Sequence, residues 1–164
     1  QELAESGNIP VYQNSLKALG YYSDSNSSAY TTFIIAAGAA GDIGFSDEPF
    51  WAADDCFVIC PVKDINDKYV YYCLQNNQIV LKSQVRKASI PRLSRTAVEK
   101  FLIPVPPLEV QEEIVRILDS FDVYAAELQA ELQAELQARK EQYEYYRNLL
   151  LTFNPAGCAG EADD

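Results

Sequence analysis

The sequence predicts an α+β protein: a mixed, β-rich head over residues 1–107, one long α-helix over 108–153, and an acidic tail over 154–164. Three observations carry this. Ahead of residue 107, short β-branched and aromatic runs are separated by Gly, Pro, Ser and Asn punctuation, which is strand-and-turn patterning. Beyond it, Ile114, Leu118, Phe121, Ala125, Leu128, Leu132, Leu136, Tyr143, Tyr146 and Leu150 recur mostly at three- and four-residue steps, one apolar stripe on a helix. Between the two, Ile103-Pro104-Val105-Pro106-Pro107 marks a boundary that neither pattern crosses.

In chain order, Gly7-Asn8-Ile9-Pro10-Val11-Tyr12 reads as a turn entering a strand, followed by a polar loop through Gln13, Asn14 and Ser15. Gly20-Tyr21-Tyr22 leads into an exposed Ser/Asp/Asn loop over 23–28. Thr31-Thr32-Phe33-Ile34-Ile35 is a strand by composition, and Gly38-Ala39-Ala40-Gly41-Asp42-Ile43-Gly44 reads as a tight hairpin turn. That glycine run lacks the Lys-Ser/Thr ending of a phosphate-binding P-loop. Cys56 to Cys60 is expected to be a strand that buries both cysteines on one face, with Asp54 and Asp55 as turn or cap residues. Lys68 to Leu74 fits either a strand or a helix, with a short helix ending near Gln75-Asn76-Asn77 the preferred reading; its tyrosines are expected to pack rather than stack on bases, and Thr96-Ala97-Val98-Glu99 has capping-box form for a short helix. Phe101-Leu102-Ile103 is expected to return as a strand.

The long helix should start at the prolines, with Glu109, Glu112 and Glu113 near its positive end. Within it runs a tandem repeat, Ala126-Glu127-Leu128-Gln129, Ala130-Glu131-Leu132-Gln133, Ala134-Glu135-Leu136-Gln137. All four residue types are strong helix formers, and each unit adds about 6 Å of helix. Stacked glutamates at i,i+4 repel weakly, with Glu135 and Arg139 as an offsetting pair. The leucine face therefore has to supply the stability by packing on a partner.

The net charge of -11 conceals an asymmetry. Residues 1–81 carry 3 Lys/Arg against 10 Asp/Glu, and residues 108–164 carry 4 against 13. Residues 82–107 invert this: Lys82, Arg86, Lys87, Arg92, Arg95 and Lys100 face Glu99 alone. Because salt screens charge within about 8 to 10 Å, a local basic cluster can bind phosphate on an acidic body.

Several classes drop out. The absence of histidine removes Ser-His-Asp and Cys-His catalysis, and the four cysteines show no CxxC pair, so neither a catalytic residue nor a metal site is expected. No apolar run is long enough to cross a membrane and no signal-peptide pattern opens the chain, so the expected location is the cytoplasm. With no methionine present, residues upstream of Gln1 are expected to be missing.

The run Phe101-Leu102-Ile103-Pro104-Val105-Pro106-Pro107-Leu108-Glu109-Val110-Gln111-Glu112-Glu113-Ile114-Val115-Arg116-Ile117-Leu118-Asp119 resembles the junction in specificity subunits of type I DNA restriction-modification systems. There, an Ile-Pro-x-Pro-Pro-Leu-x-x-Gln-x-x-Ile-x-x-x-Leu pattern joins a target recognition domain to a helical spacer. The segments around Gly7–Tyr12, Gly20–Tyr22, Thr31–Gly44, Trp51, Tyr69–Leu74 and Ser89–Ser94 follow such a domain in order, so the resemblance covers residues 7 to about 153. Short helical repeats occur in that family too, where their number is linked to the spacing between two half-sites.

The resemblance implies a non-catalytic subunit that reads a bipartite double-stranded DNA target and docks methyltransferase (M) subunits, with a restriction (R) subunit as a further partner. S-adenosylmethionine, ATP and magnesium would be the cofactors of those partners, with none in this chain. Members usually carry two recognition domains and two helical regions, whereas this chain has one of each. The first expectation is a two-fold homodimer through paired helices, using Leu118, Phe121, Leu128, Leu132, Leu136 and Tyr143, that reads an interrupted palindrome; the alternative is a fragment of a longer subunit. By charge and loop position, Lys82, Arg86 and Lys87 are candidate phosphate contacts and Arg92 and Arg95 candidate guanine readers. Gln84, Ser89, Gln13, Asn14 and Tyr21 are candidates to reach base edges. Two other readings stay open: a protein-interaction module on a coiled-coil stalk, indifferent to charge reversal over 82–95, and an acidic DNA mimic, which should spread carboxylates over one surface.

Overall fold

A computed structural model describes residues 7–60 and 62–152. Two three-stranded sheets form the head. In the first, β1 (Ile9–Tyr12) lies between β2 (Gly20–Tyr22), antiparallel, and β5 (Trp51–Ala52), parallel. In the second, β3 (Thr31–Ile35) lies between β4 (Ile43–Ser46) and β6 (Cys56–Val58), both antiparallel. Four helices follow: α1 (Asp67–Asn76), α2 (Gln78–Ser83), α3 (Arg95–Glu99) and α4 (Leu108–Leu151).

All five residues of β3 are buried, which explains a run of apolar and β-branched side chains without polar alternation. One face carries Ile34, packed with Ile43, Val70, Leu74, Leu81 and Leu93. The other carries Phe33 and Ile35, packed with Phe50 and with the ring of Tyr12, which stacks on Phe33 at 4.7 Å between centroids. Opposite Phe33 in register is Gly44, where a Cβ would lie 2.3 Å from the Phe33 ring. The Thr32 hydroxyl, on the Ile34 face, donates to the carbonyl of Asp67 at 2.9 Å and ties the sheet to the start of α1.

Of the strand and helix readings of the tyrosine-rich run, the helix forms, as α1, because Asn66 caps it by accepting the backbone N–H groups of Lys68 and Tyr69. Tyr69 is buried, and its hydroxyl donates to the Pro104 carbonyl at 3.0 Å. Helix α3 also forms, yet its cap is Ser94, accepting from the Ala97 N–H, and not Thr96. Both serine and threonine can cap; Ser94 has the extended backbone that the role requires.

Two local expectations are corrected. Phe101–Ile103 forms no strand: Phe101 and Ile103 pack against the core cluster while Leu102 is 89% exposed, and among the described residues no strand pairs with the segment. Cys56 and Cys60 do not share a buried face, because β6 ends at Val58 and Cys60 is exposed. Cys56 is half-buried, its thiol facing the carbonyls of Tyr12 and Gln13 at 3.3 Å each. Burial and the adjacent Asp55 push that thiol up to about 11.

Helix α4 starts at Leu108, directly after Pro107, as the prolines require. It has 44 residues, so its length is about 66 Å. The chain divides into two compact units between Ile117 and Leu118, so the first turns of α4 belong with the head. Gln111, in these turns, is completely buried. The expected end at residue 153 and the tail over 154–164 lie outside the described residues.

Candidate functional site

The turn between β3 and β4 organises the site. Gly38 (φ +81°) and Gly41 (φ +87°) adopt left-handed backbone that L side chains rarely reach, and Gly41 N–H returns to the Ile35 carbonyl at 2.8 Å. A Cβ on Gly38 would lie 2.8 Å from the Asn14 carbonyl oxygen, and one on Gly41 would lie 2.9 Å from Lys82 Cγ. The glycines thus allow two remote segments to meet on one turn. The Asn14 carbonyl takes the Ala39 N–H at 2.9 Å, fixing the 13–19 loop there.

The basic stretch docks on the same turn. Arg86 and Arg92 exchange both backbone hydrogen bonds, at 2.8 and 3.2 Å, and close an exposed loop over residues 87–91. Its base is anchored by Leu93, which is 3% exposed and donates its N–H to Ala36, and by the Gly38 N–H to the Pro91 carbonyl at 3.2 Å. Lys87, Ser89 and Ile90 stand on the exposed part. A shallow cavity of about 410 Å³ lies between loop and turn, lined by Gly38, Asp42, Lys82, Val85, Lys87 and Pro91 among others.

Two of the cations are held by carboxylates. Lys82 Nζ lies 2.7 Å from Asp42 Oδ1, which also accepts from Gln78 Nε2 at 3.3 Å, and an Arg92 guanidinium nitrogen lies 3.5 Å from Asp55 Oδ1. Pairs this exposed contribute at most about 1 kcal/mol, so their effect is on the placement and availability of charge more than on stability. Arg86, Lys87 and Arg95 have no carboxylate partner among the described residues.

Of the residues singled out from sequence, Asn14, Lys82, Arg86, Lys87, Ser89 and Arg92 converge on or beside this turn and loop. Gln84 caps the end of α2 and is exposed, while Gln13 is half-buried with its carbonyl facing Cys56. Tyr21 lies on β2, in the other sheet, and is 54% exposed. Arg95 stacks over Phe57 at 5.3 Å and lines a separate groove with Asn26, Ser27 and Ser28. Along α4, Leu118 is half-buried, while Phe121, Leu128, Leu132, Leu136 and Tyr143 are 54–68% exposed, an open apolar stripe. The Glu135–Arg139 pair forms at 2.7 Å.

Sequence reasoning missed Asp42 and Asp55 as partners of the basic stretch. Each pairs with a residue 37 or more positions away, and no local pattern signals such a contact. The arrangement is suited to gripping an extended polyanion, with exposed cationic side chains on a braced loop. Among the described residues, no group of three or more Cys, Asp or Glu is placed to hold a metal ion, and no helix is long and apolar enough to cross a membrane.

A family model described as Type I restriction modification DNA specificity domain matches residues 1–138. A Haemophilus influenzae protein named as a type I restriction enzyme specificity subunit is 34% identical over 172 residues, covering 99% of this chain and 43% of the relative. An Escherichia coli type I restriction enzyme specificity subunit is 33% identical over 101 residues, covering 60% of this chain and 25% of the relative. The fold is similar to that of the type I restriction-modification S subunit from M. genitalium, with TM-score 0.65, 20% identity, and coverage of 90% of this chain and 39% of that one. The chain spans less than half the length of each of these relatives.

Proposed function

The chain belongs to the type I restriction-modification DNA specificity family, and from that premise we propose that it reads one half of a bipartite double-stranded DNA target with the braced loop over 86–92. The observation that carries this reading is the convergence of Asn14, Lys82, Arg86, Lys87 and Arg92 on one glycine turn of an otherwise acidic chain. Lys87 and Arg86 take phosphates, Arg92 offers a bidentate fork to guanine, and Ser89 and Asn14 reach neighbouring base edges. The chain itself is non-catalytic. It docks M subunits, and an R subunit where present, and S-adenosylmethionine, ATP and magnesium serve those partners.

The second half of the target is read by a second copy. The exposed stripe Phe121, Leu128, Leu132, Leu136 and Tyr143 pairs with itself across a two-fold axis, and the Ala-Glu-Leu-Gln units act as a ruler of about 6 Å each. The test is the mass in solution, alone and mixed with an M subunit. A species of about 37 kDa, twice 18.3 kDa, supports self-pairing, and a monomer at micromolar concentration that also ignores the M subunit contradicts it.

A further inference from the structure

We propose that Asp55 is a specificity-determining residue, which holds the base-reading Arg92 and reduces its attraction for DNA of arbitrary sequence, and that Asp42 is a companion brake on the phosphate-contacting Lys82. The proposal rests on the DNA-reading role of the 82–95 stretch. It starts from an asymmetry among the cations: Lys82 and Arg92 face carboxylates at 2.7 and 3.5 Å, whereas Arg86 and Lys87 face none among the described residues.

The two carboxylates are fixed by the fold. Asp42 follows Gly41 in the turn, its N–H bonded to the Ala39 carbonyl and its carbonyl to the Ile35 N–H, and its carboxylate also accepts from Gln78. Asp55 precedes β6, and its carbonyl accepts the Ala36 N–H at 2.7 Å. Both carboxylates are less exposed than the cations they meet, 28% against 48% and 24% against 61%. The anion is therefore the fixed member of each pair and the cation the movable one.

A movable cation beside a fixed anion responds differently to two kinds of DNA. On arbitrary sequence, a phosphate gains the cation only by displacing the carboxylate, and the carboxylate then repels the phosphate. On a matched sequence, Arg92 is presented with its fork already restricted in direction, and base-edge contacts compensate for the lost pair. Electrostatic, sequence-independent affinity falls more than matched affinity, so discrimination rises.

The test uses the full chain with two probes: a pool of random-sequence duplexes, and a duplex selected from that pool by the unaltered protein. Asp42→Asn is expected to tighten binding to the random pool about threefold to tenfold at low salt, and to steepen the slope of log K against log salt by about 0.9 for one phosphate gained. Because Lys82 meets only phosphate, that gain should appear on both probes; Asp55→Asn, which releases the base-reading Arg92, should tighten the random pool more than the selected duplex, so the ratio between probes falls. The gain should vanish in Asp42→Asn combined with Lys82→Gln. The same cycle with Asp55→Asn, alone and with Arg92→Gln, reads the discrimination, and the Asp42 cycle reads the phosphate brake by itself.

Equal or weaker binding to both probes at unchanged slope would overturn the proposal and leave the aspartates as scaffold. If the unaltered chain binds neither probe in a salt-dependent way, the DNA reading itself fails, and the proposal with it.

Discussion

The side chain of Gln111 accepts the backbone N–H of Asn66 at 2.9 Å, joining the first turns of the long helix to the residue that caps α1. Its amide nitrogen donates to the carbonyls of Asp64 and Pro106, at 3.2 and 2.7 Å. One buried amide thus satisfies three backbone groups from two segments, and Asp64, at φ +64°, is held where those bonds need it. Gln111→Ala leaves all three unpartnered and is expected to cost about 2 to 4 kcal/mol of stability. Gln111→Glu keeps the acceptor but turns both donor contacts into repulsion. Burial raises the folded pKa of that new carboxyl, so its deficit should shrink as pH falls. Urea unfolding across pH checks both variants.

Gly38→Ala places a Cβ against the Asn14 carbonyl in a backbone conformation alanine resists, and is expected to cost about 1 to 3 kcal/mol. Because the same turn braces the 86–92 loop, the variant should also lose DNA affinity at temperatures where it stays folded. Thermal unfolding and a binding isotherm on the same preparation separate the two effects.

Lys87→Ala should weaken binding similarly on every duplex and lower the salt slope by about 1. Arg92→Ala should cost about 1 to 3 kcal/mol on the preferred sequence and little on random DNA. Equal losses on random DNA for both would remove Arg92 from base readout.

The thiols provide a check on the head that needs no DNA. At pH 8 Cys56, at about 11, should hold roughly a hundredfold less thiolate than a thiol at the ordinary 9.0, and it is also half-buried. Exposed Cys60 should therefore be alkylated by iodoacetamide well before Cys56, with Cys56 labelling rising steeply toward pH 11. The same shift makes the folded state lose stability as pH climbs from 9 toward 11, because over that window the thiol of the unfolded chain releases its proton while the buried one still holds it. Peptide mass mapping reads the order of labelling.

Much of the fold is legible in the residues, for reasons that can be named. Thr31–Ile35 is buried on both faces, so its strand appears as a β-branched and apolar run without polar alternation, and the prolines set the start of α4 to the residue. Phe101–Ile103 misleads because in-and-out alternation also describes a chain lying on a core without a strand beside it. Cys60 misleads because β6 ends two residues earlier than its composition implies. At the site, the positive stretch is visible as composition, and the glycine turn as a motif. Their meeting, through Gly38 with Pro91 and Lys82 with Asp42, is a tertiary contact that no local pattern encodes.

DNA reading by the braced loop is tested by selection of duplexes from a random pool by the full chain, repeated with Arg86→Gln, Lys87→Gln and Arg92→Gln combined. The unaltered chain should enrich defined bases, arranged as two inverted elements around an unread spacer, and the triple variant should lose that enrichment. No enrichment, or enrichment that survives the triple variant unchanged, would contradict DNA reading by this loop.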